Sequence, residues 1–209
     1  MNTLKLTPFI LMSLCMLSCS DDDDVMALAE VESTTIENLH APQEGGRGEP
    51  ISGSFTKFDF ETGQITDSDT EWDIAFRGTT IAVNGGTVTG TIDEPLRTSD
   101  AGITLVSATF EDITEIPADT SFDQDSHEGF AVPAGSGNGW YNYDFTTNIL
   151  NPIPGKILLV ETTDGKYAKF EILSYYKDAP SDIDPFQDES RYYTFRYAYN
   201  PNEGQVTFN

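Results

Sequence analysis

The sequence is poor in the side chains that form disulfides and bind metals. Its 209 residues include two cysteines, two histidines and four methionines. Both cysteines, Cys15 and Cys19, lie near the N-terminus, and every methionine precedes residue 27. The rest of the chain therefore has no disulfide and must be held together by a hydrophobic core of its own. A domain of about 160 residues is long enough, because it buries roughly 70% of its unfolded surface.

Positive charge is also scarce. The chain has 11 Lys and Arg residues against 35 Asp and Glu residues, which gives a formal net charge of -24 at pH 7. Nucleic-acid binding and electrostatic adhesion to an anionic membrane both need basic clusters, so the composition excludes these two classes of function. Nucleophilic catalysis lacks support, because a triad needs a histidine base and the body offers only His127, without a Gly-x-Ser-x-Gly turn. We therefore predict that the protein is not an enzyme.

The N-terminus resembles a bacterial lipoprotein signal peptide. A single cation, Lys5, precedes an apolar run over Phe9–Leu17 that is too short to span a bilayer. The small residue Ser18 stands directly before Cys19, where signal peptidase requires a small side chain. The acidic run Asp21–Asp24 resembles the surface-export signal of Bacteroidetes lipoproteins. This arrangement predicts lipidation at Cys19 and a protein anchored in the outer membrane, facing the cell exterior.

The sequence predicts three regions along the chain. Residues 1–18 form the signal peptide, and residues 19–49 form a lipidated acidic tether rich in glycine and proline. One short edge strand within the tether is predicted at Ala29–Thr35. Residues 50–209 form a single domain, because the sustained apolar patterns lie there.

The patterns in this domain predict an all-β fold, mostly antiparallel, behind a flexible tether. The strongest signal is a hairpin in which Asp164-Gly165 separates the strand-like runs Ile157–Val160 and Tyr167–Tyr176. Downstream, Arg191–Tyr199 alternates aromatic and polar residues, which is typical of a strand with one buried face. No amphipathic helix of convincing length is present, and β-branched and aromatic residues are abundant.

Two further strand signals come earlier in the domain. Trp72, Ile74 and Phe76 alternate with polar residues and are expected to face the core. The run ending at Val83 is followed by Asn84-Gly85-Gly86, and this sequence predicts a hairpin turn into another strand.

Three segments together identify a family resemblance. They read WDIAFRGTT followed by NG, then DGKYAKFEILSYY, then SRYYTFRY, and they begin at Trp72, Asp164 and Ser190. These segments resemble the HmuY family of all-β surface lipoproteins, and the likeness covers roughly residues 50–209. Its best-known members capture haem and pass it to an outer-membrane receptor. The resemblance implies an HmuY-like sheet, a haem ligand and a TonB-dependent receptor as partner.

The resemblance also implies two axial haem ligands, either histidines or methionines. The methionines all lie in the signal peptide or tether, so only His40 and His127 are left. In histidine-bearing relatives, one ligand is expected just before a Pro-x-Pro-Gly turn. Here Thr147 or Asn148 stands at that place, upstream of Pro152-Ile153-Pro154-Gly155. The expected ligand pair is therefore not evident.

The candidate haem-binding residues are His127, Tyr141 and Tyr143. Neutral imidazole ligates iron, and His127 lies in a polar loop with acids that also resembles a weak calcium-binding pattern. Tyr141 and Tyr143 follow a glycine-rich lead, so their rings can stack on a flat ligand or their oxygens can ligate ferric haem. Alternatively, Trp140, Tyr143 and Phe145 alternate as an ordinary core strand.

The predicted function is haem capture at the cell surface for iron acquisition, without turnover. Two other classes of function stay open on the same fold. One is an adhesion or receptor-accessory module that binds no haem. The other is a carbohydrate-binding module that uses Trp140 and the tyrosines.

Overall fold

The computed structural model describes residues 27–209 as β-strands joined by turns and loops, without a helix in that range. The signal-peptide segment and Cys19 lie outside the described residues. No helix in the described part is long and apolar enough to cross a membrane. The strands are β1 (Ser33–His40), β2 (Glu44–Gly46), β3 (Glu49–Ser52), β4 (Thr56–Asp59), β5 (Gln64–Thr66), β6 (Ile74–Arg77), β7 (Thr80–Val83), β8 (Gly102–Ser107), β9 (Tyr141–Asp144), β10 (Ile149–Pro152), β11 (Lys156–Glu161), β12 (Tyr167–Tyr176) and β13 (Ser190–Asn200).

The strands form two main sheets and two separate hairpins. The large sheet has the order β1-β13-β12-β11-β8, and the small sheet has the order β5-β4-β6-β7. Strands β9 and β10 form one hairpin, and β2 and β3 form the other. Every pair of these strands is antiparallel. The prediction of an all-β, mostly antiparallel fold is confirmed.

The main core lies between the two sheets and is rich in aromatic rings. Phe58 of the small sheet meets Phe195 of the large sheet edge-on, with ring centroids 5.3 Å apart. Phe76 and Tyr193 make a similar pair at 4.7 Å. All four side chains are at most 1% exposed. Each such side chain contributes roughly 1.5–3 kcal/mol when it leaves water, so this layer holds the sheets together.

Loops cover the outer faces of both sheets with smaller clusters. Ile157 and Leu159 of β11 pack there with Phe110 and Phe208, which come from a loop and from the C-terminal tail. On the small sheet, Trp72 packs with Phe55, Ala75 and Ala82 in a second cluster. Trp72 is fully buried, as the sequence predicted, but it lies in a different cluster from Ile74 and Phe76.

The hairpin predicted around Asp164-Gly165 is confirmed. Strands β11 and β12 form an antiparallel hairpin in which Val160 pairs with Ala168, and Gly165 in the turn has a φ of +74°. Such a positive φ favours glycine, which explains the Asp-Gly turn. Strand β13 buries Tyr193, Phe195 and Tyr197 on the core face.

Part of the predicted tether is an ordered strand, which overlaps the edge strand predicted at Ala29–Thr35 but extends to His40. Ser33–His40 forms β1 at the edge of the large sheet, paired with β13. Leu39 and the following Ala41 are buried in the main core. A bulge at Asn38, with a φ of +58°, interrupts the pairing, and its side-chain amide exchanges two hydrogen bonds with Asp178 at 2.8 and 2.7 Å. The domain therefore begins before residue 50.

The predicted hairpin at Asn84-Gly85-Gly86 is also wrong. Strand β7 instead pairs with β6 through the preceding turn at Gly78. A Cβ atom on Gly85 or Gly86 would collide with the carbonyl oxygens of Ala101 and Asp125, respectively. These glycines permit close backbone approach to neighbouring loops, and that is a second common reason for glycine after a strand.

Candidate functional site

An open cleft lies at one end of the large sheet, beneath the β9–β10 hairpin. Its volume is about 440 Å³. Five aromatic side chains line it, and they come from the hairpin and from the end of β12: Tyr141, Tyr143, Phe145, Tyr175 and Tyr176. A cleft of this size and lining is typical of a binding site for a small organic molecule, since such sites span about 300–1,000 Å³.

The β9–β10 hairpin presents three of these rings on one face. Tyr141, Tyr143 and Phe145 alternate along β9 and its turn, so they point to the same side. Exposure increases along this face, from 9% at Tyr141 to 80% at Phe145. Phe145 stands edge-on to Tyr143, with centroids 4.9 Å apart. Of the residues in the alternative core-strand interpretation, Trp140 is a core residue at 1% exposure and Tyr143 is half-buried against the main core, whereas Phe145 is exposed.

The turn of this hairpin also contributes to the cleft. The hydroxyl of Tyr143 donates a hydrogen bond to the side-chain oxygen of Asn148 at 2.9 Å. Asn148 lines the cleft with a φ of +61°, a left-handed conformation that asparagine tolerates. Asn148 is one of the two residues at which the resemblance implied an axial histidine. Position 148 thus belongs to the cleft, but its amide is a poor substitute for imidazole as an iron ligand.

The other wall comes from two consecutive tyrosines at the end of β12. Tyr175 and Tyr176 are both buried, at 6% and 4% exposure, although neighbours on a regular strand face opposite sides. An irregularity in the pairing of β12 with β13, between Ser174 and Tyr176, permits this. The hydroxyl of Tyr176 accepts a hydrogen bond from the backbone N–H of Leu150 at 3.0 Å. That bond fixes the hairpin to the sheet.

Tyr175 forms the floor of the cleft. Its ring packs against Trp140 and Tyr193, with centroids 5.7 and 5.3 Å away. Burial raises the pKa of Tyr175 well above its usual value of 10, so the side chain stays a neutral phenol at physiological pH. Tyr175 is therefore a flat apolar surface with a polar tip.

Arg191 is the one cation that lines the cleft in the described part of the chain. Its Nη1 atom donates a hydrogen bond to the backbone oxygen of Gln43 at 2.6 Å, and its guanidinium also lies beside Tyr175. The backbone of Arg191 has a φ of +72°, where a non-glycine residue is strained. None of the acidic side chains of residues 27–209 lines this cleft.

The structure places His127 away from the cleft wall. It is exposed at the tip of a turn in which Ser126 and Gly129 exchange two backbone hydrogen bonds. The neighbouring Asp125 is buried and paired with Arg97 at 2.6 Å, which removes it from the calcium-like pattern. The structure thus brings Tyr141 and Tyr143 together but leaves His127 outside the cleft lining.

His40 also lies outside the cleft lining. It ends strand β1, and its exposed ring stacks on Tyr192 with centroids 4.4 Å apart. No cluster of three or more His, Cys, Asp or Glu side chains within residues 27–209 is arranged to hold a metal ion. The donor atoms in the cleft are hydroxyl, amide and guanidinium groups.

A second cavity of about 510 Å³ is larger but chemically different. Its lining consists of hydroxyl side chains and four acids, Asp59, Glu61, Glu71 and Asp164, without an aromatic ring. Lys166 neutralises part of this charge through Asp164, at 2.7 Å. The aromatic cleft is therefore the better candidate site, since stacking surfaces and a free cation converge there.

Sequence reasoning missed Tyr175, Tyr176 and Arg191 as site residues. Period-two alternation assigns consecutive tyrosines to opposite faces, and only the irregular pairing turns both toward one cleft. Nothing in the local sequence around Arg191 signals a positive φ. The aromatic alternation from Tyr141 to Phe145 was the one pattern that pointed to this site.

Fold and cleft together define an all-β binding protein with an aromatic site at one end of its large sheet. The model of the family described as "HmuY protein" matches residues 53–197. The chain belongs to the HmuY family, as its sequence motifs indicated, and this is a family of binding proteins. A comparison with curated proteins finds no match.

Three solved structures are similar to this chain at low sequence identity. The apo HmuY analog (TFO) of Tannerella forsythia is 15% identical and has a TM-score of 0.45, covering 84% of this chain and 99% of that one. A "putative lipoprotein" of Bacteroides fragilis is 18% identical, with a TM-score of 0.47 and coverage of 83% and 91%. A "putative HmuY_like heme binding protein" of Bacteroides vulgatus is 14% identical, with a TM-score of 0.40 and coverage of 83% and 93%.

Proposed function

We propose that the protein captures a haem-type tetrapyrrole in the aromatic cleft, without turnover. The observation that carries the proposal is a cleft that is lined by five aromatic rings and by no acid of residues 27–209, in an acidic chain of the HmuY family. Lipidation at Cys19 anchors the protein in the outer membrane at the cell surface. From there it delivers its ligand to a TonB-dependent receptor.

The walls of the cleft suit a flat, largely apolar ring system. Tyr143 and Phe145 come from the hairpin, and Tyr175 and Tyr176 face the same space from the sheet. Each well-placed aromatic pair contributes about 0.5–1.5 kcal/mol beyond the burial of its area, so several stacking contacts add up to useful affinity. The open side, where Phe145 is 80% exposed, gives the ligand a path in and out.

Among residues 27–209, the cleft offers oxygen donors to the iron of a bound haem. Tyrosine is the cleft residue type that ligates haem iron in proteins, and the lining contains Tyr141, Tyr143, Tyr175 and Tyr176. Within residues 27–209, no imidazole, thioether or thiolate lines the cleft. We therefore expect a ferric complex that is five-coordinate or has an oxygen ligand, and is predominantly high-spin.

Titration of purified protein with haemin tests the proposal. The expected result is a sharpened, red-shifted Soret band that saturates at one haem per chain and has a high-spin visible spectrum. Tyr143→Phe removes the hydroxyl but keeps the ring, so it should change the spectrum and weaken binding. Tyr192→Phe is the matched control, because Tyr192 lies outside the cleft lining against His40. An unchanged Soret band with wild-type protein would instead favour a non-haem accessory or carbohydrate-binding module.

Anchoring at Cys19 is tested separately. Labelled palmitate should enter the wild-type chain in bacterial cells and should not enter Cys19→Ala. The other cysteine, Cys15, follows a leucine and is not expected to carry lipid, so Cys15→Ala is the matched control. Equal labelling of wild type and Cys19→Ala would refute the anchor without affecting the ligand proposal.

A further inference from the structure

The charge around the cleft is the reverse of the charge on the protein as a whole. The sequence carries 35 acids, yet none of those in residues 27–209 lines the cleft, and one cation does. Arg191 forms no ion pair with any carboxylate in this part of the chain, whereas Arg97, Arg196 and Lys177 all do. An unpaired guanidinium in a cleft free of acids favours an anionic group on the ligand.

The geometry of Arg191 leaves it free to bind such a group. A guanidinium has five N–H donors. The hydrogen bond from Nη1 to the Gln43 oxygen uses one of them, and the group also interacts with the side chain of Tyr175. That bond also orients the side chain, because Gln43 lines the same cleft. The remaining donors form a fork that matches a carboxylate in a bidentate manner.

The backbone at this position is held in a strained conformation. Strand β13 has a bulge opposite the end of β12. Between the pairs Ser174–Thr194 and Tyr176–Ser190, β13 contains two more residues than β12 does. Arg191 lies in this bulge and has a φ of +72°. Bulges redirect side chains at binding sites, and strained residues persist where the surrounding structure holds them. A regular strand would direct the side chain of Arg191 differently.

We infer that the cleft recognises the ring and the carboxylates of a tetrapyrrole, not its metal. The inference rests on the proposed function and names its ligand class. The aromatic walls take the ring, and Arg191 binds a side-chain carboxylate. Because no imidazole, thioether or thiolate of residues 27–209 lines the cleft, and Tyr175 stays a neutral phenol, loss of the metal removes little of the affinity. The protein therefore binds metal-free carboxylated porphyrins as well as haemin.

Wild-type protein alone gives the first test. Quenching of tryptophan fluorescence reports binding, because Trp140 packs against the cleft residues Tyr141 and Tyr175. Protoporphyrin IX should bind within threefold of haemin, and its dimethyl ester should bind at least fivefold more weakly. If haemin binds but protoporphyrin IX binds more than threefold more weakly, the inference is overturned and the proposed function is left intact. Failure of both ligands to bind overturns both.

Variants of Arg191 give the second test. Arg191→Gln should lose at least fivefold in affinity for protoporphyrin IX and should bind the ester as wild type does. Arg191→Lys keeps the charge but not the fork and should fall between the two. The matched control is Lys156→Gln, which makes the same change of charge at a cation that lines no part of this cleft and is not ion-paired within residues 27–209. If Arg191→Gln loses the same affinity for protoporphyrin IX as for its ester, or loses affinity for neither, the role of Arg191 is overturned. A melting curve shows that each variant is folded.

Discussion

Asp73 accepts two hydrogen bonds from Thr163, one from the backbone N–H at 2.8 Å and one from the hydroxyl at 3.0 Å. It also accepts one from the backbone N–H of Phe60 at 2.8 Å. The carboxylate thereby joins the small sheet to the turn between β11 and β12. It is 1% exposed, and no cation pairs with it within residues 27–209.

This burial predicts a pH dependence of stability. Desolvation raises the pKa of Asp73 from 3.8 to about 6, against the hydrogen bonds from Thr163 and Phe60. The folded protein therefore holds this proton more tightly than the unfolded chain does. Asp73 lowers the free energy of unfolding above pH 6, and this penalty disappears as the pH falls from about 6 to below 4.

Asp73→Asn isolates this contribution. The free energy of unfolding of wild type minus that of the variant should increase by about 2 kcal/mol as the pH falls from 7 to 4, as linkage requires when the pKa is raised from 3.8 to about 6. Denaturant melts at several pH values measure it. The comparison cancels the general effect of protonating the many surface acids. A difference that does not vary with pH would show that Asp73 ionises normally.

The packing of strand β1 predicts that substitutions in it lower stability, whereas substitutions in a flexible tether would not. Leu39 is 1% exposed and packs in the main core, so Leu39→Ala should lower the free energy of unfolding by about 2–5 kcal/mol. Leu28→Ala makes the same chemical change at a side chain that is 65% exposed and should change it by less than about 0.5 kcal/mol. Equal small effects in denaturant melts would mean that β1 is dispensable.

A buried ion cluster predicts a large effect of removing one charge. Arg97 pairs with Glu94 at 2.5 Å and with Asp125 at 2.6 Å, and all three side chains are at most 2% exposed. Arg97→Met leaves both carboxylates buried without their cation and should destabilise the protein by about 3–5 kcal/mol.

Lys177→Met is the control for this cluster. Its ion pair with Glu189 lies at the surface, with both side chains about half exposed, and should contribute little to stability because solvent screens it. Thermal melts of the two variants make the comparison. Similar small shifts for both would show that the Arg97 cluster contributes no more than a surface pair.

The sequence-based role of His127 stays a prediction, and the structure favours the opposite result. Because the imidazole is exposed on a turn outside the cleft lining, His127→Ala should bind haemin within threefold of wild type. The Soret titration measures this directly. A tenfold loss, which corresponds to about 1.4 kcal/mol, would show that this turn reaches the ligand.

Much of the large sheet could be predicted because its signals are local. The turn at Asp164-Gly165 and the alternation in β13 each depend on a few neighbouring residues. The edge strand predicted at Ala29–Thr35 overlaps β1 only at Ser33–Thr35, because an edge strand with one buried face needs few apolar residues and its bounds leave little signal. Leu39 is the one residue of β1 that is fully buried, and a single leucine makes no pattern.

The candidate site was predictable only in part. Tyr141 and Tyr143 belong to an alternating strand, so their shared face follows from the sequence. Tyr175, Tyr176 and Arg191 depend on how β12 and β13 lose register, which is a property of two strands together. Local sequence carries no information about such a mismatch.

The bulge at Asn38 has a consequence for copies of the protein at high density. Strand β1 is an unpaired edge of the large sheet, and a straight edge would let a second copy add its own strand. The left-handed backbone of Asn38 interrupts this edge, and the side chain of Asn38 makes two hydrogen bonds with Asp178 there. This irregular edge is a poor template for the strand of a second copy and disfavours edge-to-edge association of crowded molecules.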